Sequence, residues 1–343
     1  MSLTSSLDAI AGEFDLTVTT RWSVAAPRTI KEGLPCQVTL GRDVVLTGYI
    51  DEFIPSYDAD SVSLKVTGRD KTGDLVDSSV VHKSGQWKGV TLVQLATELC
   101  APFGIGVVNE TDPGEPFASV VLEQGETVFE LLDRLAKQRG VLLTSDGAGH
   151  LVITRASKKR AGTRLVMGKN ILAARGRFSW KERNSEYIVK GTASGGGKMW
   201  DEQPPSQTGG IRTVTDDPEI TRYRPKILVK EDSLTVSGAN TRGEWYRSRS
   251  LGESRMTEIT VAGWRERGDE GPVWAKNQLV DIEDEVQNLN VTWLIKSVTL
   301  TEGDGGRITV LVMVPPESMD MPAEVAKKKG KGRGKQQKGL TWD

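Results

Sequence analysis

The chain has 343 residues, enough for about two to four domains. Its 37% hydrophobic and 27% charged content is ordinary, and its densest apolar run, Ile308–Val314, is far too short to cross a bilayer, so no membrane anchor is expected. The net charge of −1 excludes a uniformly basic nucleic-acid binder, and two distant cysteines, Cys36 and Cys100, exclude a disulfide scaffold.

The first residues, MSLTSSLDAIAGEFDL, lack the basic and apolar regions of a secretory signal. Phe14, Leu16, Val18, Thr20, Trp22 and Val24 then alternate with polar residues, the period of a strand with one wet face. Further strands are expected at Cys36–Leu40, Val44–Phe53 and Ser61–Thr67, separated by Gly-Arg-Asp and Tyr-Asp-Ala-Asp turns. Residues 1–85 thus read as an antiparallel β domain, which closure into a barrel would free of exposed edges. Arg69 and Asp70 suit the turn after the last of these strands.

Residues 86–160 change character. Thr91 and Gln94 have capping-box spacing ahead of the stripe Leu92, Leu95, Ala96, Leu99 and Cys100, and APFGIG then breaks the helix. Thr127 and Glu130 repeat the box ahead of Val128, Leu131, Leu132, Leu135 and Ala136, and Gly140 ends that helix. Val141–Thr144 and Leu151–Thr154 flank the turn SDGAGH and read as a hairpin. The expectation is an α+β helix–hairpin module.

Strands return from Arg164. Gly191–Gly210, rich in Gly, Ser and Pro, reads as a loop at an insertion. A strand at Lys226–Lys230 and a helix starting at Thr241, with Glu244 as its box partner, make residues 201–255 a smaller inserted segment. Strands at Met256–Trp264, Gln278–Glu283, Val291–Leu300 and Arg307–Val314 complete a second β domain made of 161–200 and 256–320. Leu46–Gly68 and Thr292–Val314 share a pattern: Ile50 and Phe53 match Ile295 and Val298, and Leu64 and Val66 match Val310 and Val312 after a one-residue shift. Two unrelated hairpins and a duplicated β unit both fit that pattern. Residues 321–343 carry seven Lys/Arg and one Asp from Lys327 onward and read as a disordered basic tail, either simply solvated or tethering nucleic acid or an acidic protein surface through Lys327, Lys328, Lys329, Lys331 and Arg333.

Little here is placed for chemistry. His82 and His150 are the two histidines, each in a loop or turn, and no clustered Cys/His pairs suggest zinc. GTASGGGK lacks the first glycine of a P-loop and has Met199 where the Ser or Thr belongs. The many carboxylates show no pairing readable from sequence. No cofactor, metal or catalytic residue is expected. Thr241–Arg255 interleaves Arg with aromatics, and Trp245, Tyr246, Arg247 and Arg249 are interface candidates ahead of nucleic-acid contacts; a helix packing its aromatics inward also fits. Nine Trp against six Phe suit either β cores or partner surfaces.

The segment ending in DGAGHLVITR resembles the middle domain of the baseplate hub proteins of contractile-tailed phages, in particular the Mu-like tail protein family. VTGRDKTGDLVDSS, WKGVTLVQLATELCAPFGIGV and FSWKERNSEYIVKG resemble further stretches of that family, in order, over about Leu16–Pro316. The resemblance implies a non-enzymatic structural protein of the virion baseplate, present in host cytoplasm during assembly. It implies a β-rich α+β multidomain fold with two related small antiparallel barrels. It also implies a homotrimeric ring of pseudo-sixfold symmetry that joins the tail tube protein to the central spike protein, among other baseplate proteins. The basic tail has no counterpart carried by the resemblance. A tail-associated peptidoglycan hydrolase and a glycan- or receptor-binding β protein are the rival readings; the first lacks a motif, and the second is permitted by the Trp content.

Overall fold

The computed structural model describes residues 1–21, 30–193, 210–234, 236–303 and 305–320. Trp22, Val24, most of the Gly191–Gly210 loop and the whole basic tail lie outside the described residues.

Residues 1–70 supply β1 (Ser2–Ser6), β2 (Glu13–Arg21), β3 (Pro35–Leu40), β4 (Asp43–Tyr57) and β5 (Ser61–Asp70), hydrogen-bonded in the order β1-β2-β5-β4-β3. Leu46, Gly48 and Ile50 of β4 are buried at every second position, as one apolar face requires. The alternation stops at a bulge. Ile50 pairs with Gly68 and Glu52 with Thr67, which leaves Asp51 unopposed. A Cβ on Gly48 would sit 1.9 Å from the Arg69 carbonyl oxygen, and one on Gly68 would sit 2.2 Å from that of Tyr49. Only glycine allows strands to approach so closely.

The next module holds α1 (Gly73–Asp77), β6 (Gln86–Trp87), α2 (Leu92–Cys100), β7 (Val107–Asn109), β8 (Val120–Val121), α3 (Val128–Arg139), β9 (Leu142–Ser145) and β10 (Leu151–Thr154). Both expected capping boxes are formed, with Thr91 and Thr127 each accepting the N3 amide and Gln94 and Glu130 reaching back. Gly140 takes φ 60° and donates to the Ala136 and Lys137 carbonyls, which ends α3. The two apolar stripes pack together with Leu75, Leu143, Leu151 and Ile153 in one core. Each fully buried leucine there contributes about 2 kcal/mol through the area removed from water.

The remainder holds β11 (Leu165–Val166), β12 (Ala173–Phe178), β13 (Glu186–Ala193), β14 (Gly210–Asp216), β15 (Pro225–Leu234), α4 (Val236–Ser254), β16 (Arg255–Ala262), β17 (Glu266–Asp269), β18 (Leu279–Asp284), β19 (Leu289–Gly303) and β20 (Gly306–Val314). Five of these pair in the order β12-β16-β20-β19-β18. In chain order, that is first, second, fifth, fourth, third, the rule that β1–β5 also follow. β13, β14, β15 and α4 interrupt the second set between its first and second strands, and form a three-stranded sheet capped by a helix. α4 already runs from Val236, so Thr241 lies inside the helix rather than at its start. The apparent box Thr241/Glu244 was spacing without the non-helical backbone that an N-cap needs.

The equivalence extends to register. Ile295 pairs with Met313 and Ser297 with Val312, leaving Lys296 as the bulge residue of β19. Phe53 opposes Val66 as Val298 opposes Leu311, and Tyr57 opposes Val62 as Glu302 opposes Arg307. The offset in residue number is constant, so Val66 corresponds to Leu311 and the one-residue shift expected from sequence does not occur. The buried positions of β20 keep that face although Leu64 is replaced by Thr309.

The two sets are not separate bodies in their hydrogen bonding. β1 pairs with β2 on one edge and with β19 on the other, Ser2–Ser6 against Ser297–Thr301, joining both into one 11-stranded sheet. β19 carries β18 along Leu289–Leu294 and β1 immediately beyond it. One core runs under both sets, with Leu3, Phe14, Leu46 and Ile50 alongside Ile259, Trp293, Ile295 and Leu311.

Candidate interaction surfaces

The groups singled out for chemistry are occupied structurally. Among the described residues, no group of three or more His, Cys, Asp or Glu is arranged to hold a metal ion. His82 stacks on Trp87 with ring centroids 4.3 Å apart, and its Nδ1 accepts the Gly85 amide at 3.0 Å. His150 Nδ1 lies 2.8 Å from Asp146 Oδ2 within the hairpin turn. Cys36 and Cys100 are free thiols, and burial pushes Cys100 up to about 12. Arg69 bridges Asp77 and Asp51, bonds that raise its pKa and tie α1 to the β4 bulge.

Asp70 is the meeting point of the N-terminal strands and the helix–hairpin module. Its buried carboxylate accepts from the Gly12 amide at 2.6 Å, the Thr72 amide at 2.9 Å, and the hydroxyls of Thr72 and Ser145 at 2.5 Å each. The turn that follows Ser145 also lies on β4, where Thr47 donates to the Gly147 carbonyl at 2.9 Å. From the other side, Asn277 accepts the Ser157 amide and donates to the Arg155 carbonyl. A cavity of about 370 Å³ lies between these contacts, lined in part by Asp70, Thr144, Trp274 and Lys276. Lys276 donates to the Ser6 carbonyl at 3.2 Å. Burial lowers its pKa to about 8, against the opposing pull of Asp70 and Asp146. Such a junction locks modules together, since the Asp70 carboxylate is taken up by Gly12, Thr72 and Ser145 and Lys276 by the Ser6 carbonyl.

α4 gathers the sequence's interface candidates in part. Tyr246 packs at the edge of the small core of Tyr187, Val189, Leu228 and Ala239. Trp245 meets it edge-on at 4.9 Å, and Arg249 lies over Trp245 while pairing with Glu253 at 2.8 Å. Trp245 and Arg249 border a cleft of about 410 Å³ shared with Phe129, Asp133 and Lys137 of α3. Arg247 points elsewhere, toward the Asp216 carbonyl at 3.5 Å. Lys327, Lys328, Lys329, Lys331 and Arg333 lie outside the described residues.

Arg183, between β12 and β13, is almost wholly buried and grips Asp217 through Nε and Nη2 at 2.7–2.9 Å and Glu219 at 2.7 Å. Burial opposes the charge on Glu219, but Arg183 and Arg255 together hold its pKa below the usual carboxylate value. This network fixes the insertion to the start of β16.

Two strand edges were missed by sequence reasoning. Among the described strands β12 pairs only with β16, and all six of its residues, Ala-Ala-Arg-Gly-Arg-Phe, are exposed. β4 carries β3 up to Tyr49, but beyond the bulge Glu52–Ser56 have β5 on one side and no described strand on the other. Ile54 is 46% and Phe178 48% exposed. Apolar residues on open edges were the available signal, since soluble folds normally charge, cover or pair such edges.

Comparisons with known proteins agree along the chain. Residues 1–70 match the family described as Mu phage baseplate assembly protein GpP-like, N-terminal; residues 72–155 match baseplate hub protein gp44-like, second domain; residues 235–322 match Mu phage baseplate assembly protein GpP, fourth domain. The chain is 36% identical over 341 residues to baseplate hub protein gp44 of Escherichia phage Mu, covering 97% of this chain and 88% of that one. The crystal structure of the 43 kDa tail protein of prophage MuSo2 from Shewanella oneidensis superposes with a TM-score of 0.85 at 47% identity, over 94% of each chain. The tail protein from Neisseria meningitidis MC58 shares the fold, with a TM-score of 0.77 at 22% identity over 93% of each chain.

Proposed function

This chain belongs to the Mu-like baseplate hub protein gp44 family, structural components of the phage tail baseplate, and from that premise we propose that it assembles as a homotrimeric ring linking the tail tube to the central spike. The observation that carries this reading is the duplicated strand order, with both bulges in register. Three chains with two matched sets each present six similar faces. A sixfold tube can dock on these while the inserted segments, one per chain, keep threefold identity for a spike. In the ring each set curls toward its own small barrel, around which the helix–hairpin module and the β13–α4 insertion are arranged. The expected divisions at 1–85, 86–160, 161–200 with 256–320, and 201–255 depart from that division of labour at two joints: α1 packs with the helix–hairpin module, and β13 belongs to the sheet of the insertion.

The rest of the reading concerns partners. Trp245 and Arg249 of α4 face a neighbouring baseplate protein, supported by the aromatic–arginine cleft beside α3, whereas Tyr246, packed on the small core, and Arg247, turned to the Asp216 carbonyl, drop out of the expected interface. The basic tail tethers the hub to an acidic surface or to DNA, supported only by its charge. Removing Lys327–Asp343 then lowers salt-sensitive DNA retention, and unchanged retention ends the nucleic-acid version. Assembly takes place in host cytoplasm before the hub enters the virion. Sedimentation of the full chain tests the core proposal: a mass of three chains supports it, and a monomer at every concentration contradicts it.

A further inference from the structure

We propose that the open edge of β12 pairs antiparallel with the open edge of β4 in a second copy of this chain, Arg175–Ser179 against Glu52–Ser56, so that the joint between chains repeats the joint within the chain. The inference rests on the trimeric reading above and gives it specific residues.

The argument starts from the internal joint. β1 is the first strand of set one, and it docks on the part of β19 just past the Lys296 bulge, with Leu3 opposite Leu300 and Ser5 opposite Val298. β12 is the first strand of set two, and β4 is the fourth strand of set one. Leu3 pairs with Phe14 of β2, Phe14 pairs with Gly68 of β5, and Gly68 corresponds to Met313 of β20. Met313 pairs with Thr257, and Thr257 pairs with Gly176. Gly176 therefore stands where Leu3 stands. By the hairpin register, Leu300 and Val298 correspond to Pro55 and Phe53. Carrying the internal pairing across sets Gly176 opposite Pro55 of a second copy, Phe178 opposite Phe53, Arg177 opposite Ile54, Arg175 opposite Ser56 and Ser179 opposite Glu52.

Three features of these edges fit that partner. Both are unpaired among the described strands, and with Ser179 just past the end of β12 they match the length of the β1·β19 ladder; Pro55, standing where Leu300 makes a hydrogen-bonded pair, has no N–H to donate, so the joint between chains has one ladder hydrogen bond fewer than the joint within the chain. Side-chain faces agree: Leu3, Leu300 and Val298 are buried on the core face of the internal joint, their counterparts are Gly176, Pro55 and Phe53, and Phe178, in the place of Ser5, puts its ring beside that of Phe53 on the same side. Charges are complementary. β12 offers Arg175 and Arg177, while the β4 edge and its turn offer Glu52 and Asp58; in this register Arg177 lies diagonal to Glu52 and Arg175 diagonal to Asp58. The pairing is also directional, since β12 of one chain meets β4 of the next. A heterologous contact of that kind closes into a ring when the rotation allows it.

The test uses the full chain with Cys36→Ser, so that the remaining native thiol is the buried Cys100. Arg175→Cys with Ser56→Cys places thiols opposite each other between chains, and mild oxidation is expected to give covalent dimers and trimers on denaturing gels. The out-of-register control, Arg175→Cys with Ile54→Cys, is expected to give at least about tenfold less, because the two-residue offset carries the Cβ atoms apart. In parallel, Arg177→Glu and Glu52→Lys each weaken assembly about tenfold or more by sedimentation, and the double variant recovers it. A trimer that forms normally, without the in-register crosslink and without response to the charge reversals, overturns this pairing and leaves the trimeric reading standing. A chain that is monomeric throughout overturns both.

Discussion

Asp51 and Lys296 hold the same place in two hairpins at opposite ends of the chain: each is the unopposed bulge residue of the fourth strand in its five-stranded set. Their side chains have diverged to opposite charge, Asp51 pairing with Arg69 and Lys296 with Asp8. What the two sets share is therefore backbone geometry, a bend in a long strand where buried alternation gives way to a joint with another strand. That shared bend makes a two-into-one adaptor physically reasonable.

Deleting Lys296 tests the bulge itself. The deletion closes the ladder, since Ile295–Met313 and Ser297–Val312 then follow as neighbouring pairs, and it removes the bend between the part of β19 that carries β18 and the part that carries β1. The variant is expected to stay folded with a lowered melting temperature, and a variant as stable as the native chain contradicts a role for the bend in joining β1 to β19. Lys296→Ala keeps the backbone and removes only a partly exposed ion pair, so its cost stays below about 1 kcal/mol by chemical denaturation.

Asp70→Ala strips four donors of their shared acceptor at the junction of two modules. The expected loss is about 3 kcal/mol, with the melting transition splitting as the helix–hairpin module separates from the sheet. Asp70→Asn keeps one acceptor oxygen and loses less.

Arg183→Met leaves Asp217 charged and buried without its partner. About 3–5 kcal/mol is the expected cost, whereas Arg183→Met with Asp217→Leu recovers much of it because no unpaired charge remains. A double variant as unstable as the single one contradicts the assignment of this pair as a buried ion pair.

Lys276 gives a pH dependence with a definite sign. Its ordinary value is 10.5 and burial brings it to about 8 in the folded chain. Between those values the unfolded chain holds the proton that the folded chain has released, so stability rises with pH. Below about 8 both forms are charged, and the full penalty, on the order of 3 kcal/mol, is present. The stability difference between the native chain and Lys276→Met is therefore expected to shift in favour of the native chain as pH climbs from 7 to about 10. A difference that is flat with pH contradicts the burial of this ammonium.

Local signals made much of this readable in advance. α2 and α3 announced themselves through their capping boxes and apolar stripes, and β4, β5, β19 and β20 through period-two alternation, because those signals are set within a few residues. β1 was illegible. Its Ser-Leu-Thr-Ser-Ser has one buried side chain, and it is a strand only because β2 and β19 flank it. β12 was missed for the same reason: Ala-Ala-Arg-Gly-Arg-Phe carries no apolar alternation, and all six residues stay exposed although Phe178 reaches the Trp293 ring. The α4 aromatics were found by composition, but their division between a small core and a cleft is decided by packing against β13 and α3. Asp70 looked like a turn residue and is one, yet its contact with Ser145 crosses a separation in sequence that no local pattern reports.

The most direct measurement is electron microscopy of the assembled full-length ring viewed along its axis. The account predicts six similar lobes from the paired strand sets, modulated threefold by the inserted segments. A ring whose lobe number is not twice its chain number, or one in which the two strand sets sit at different radii, contradicts it.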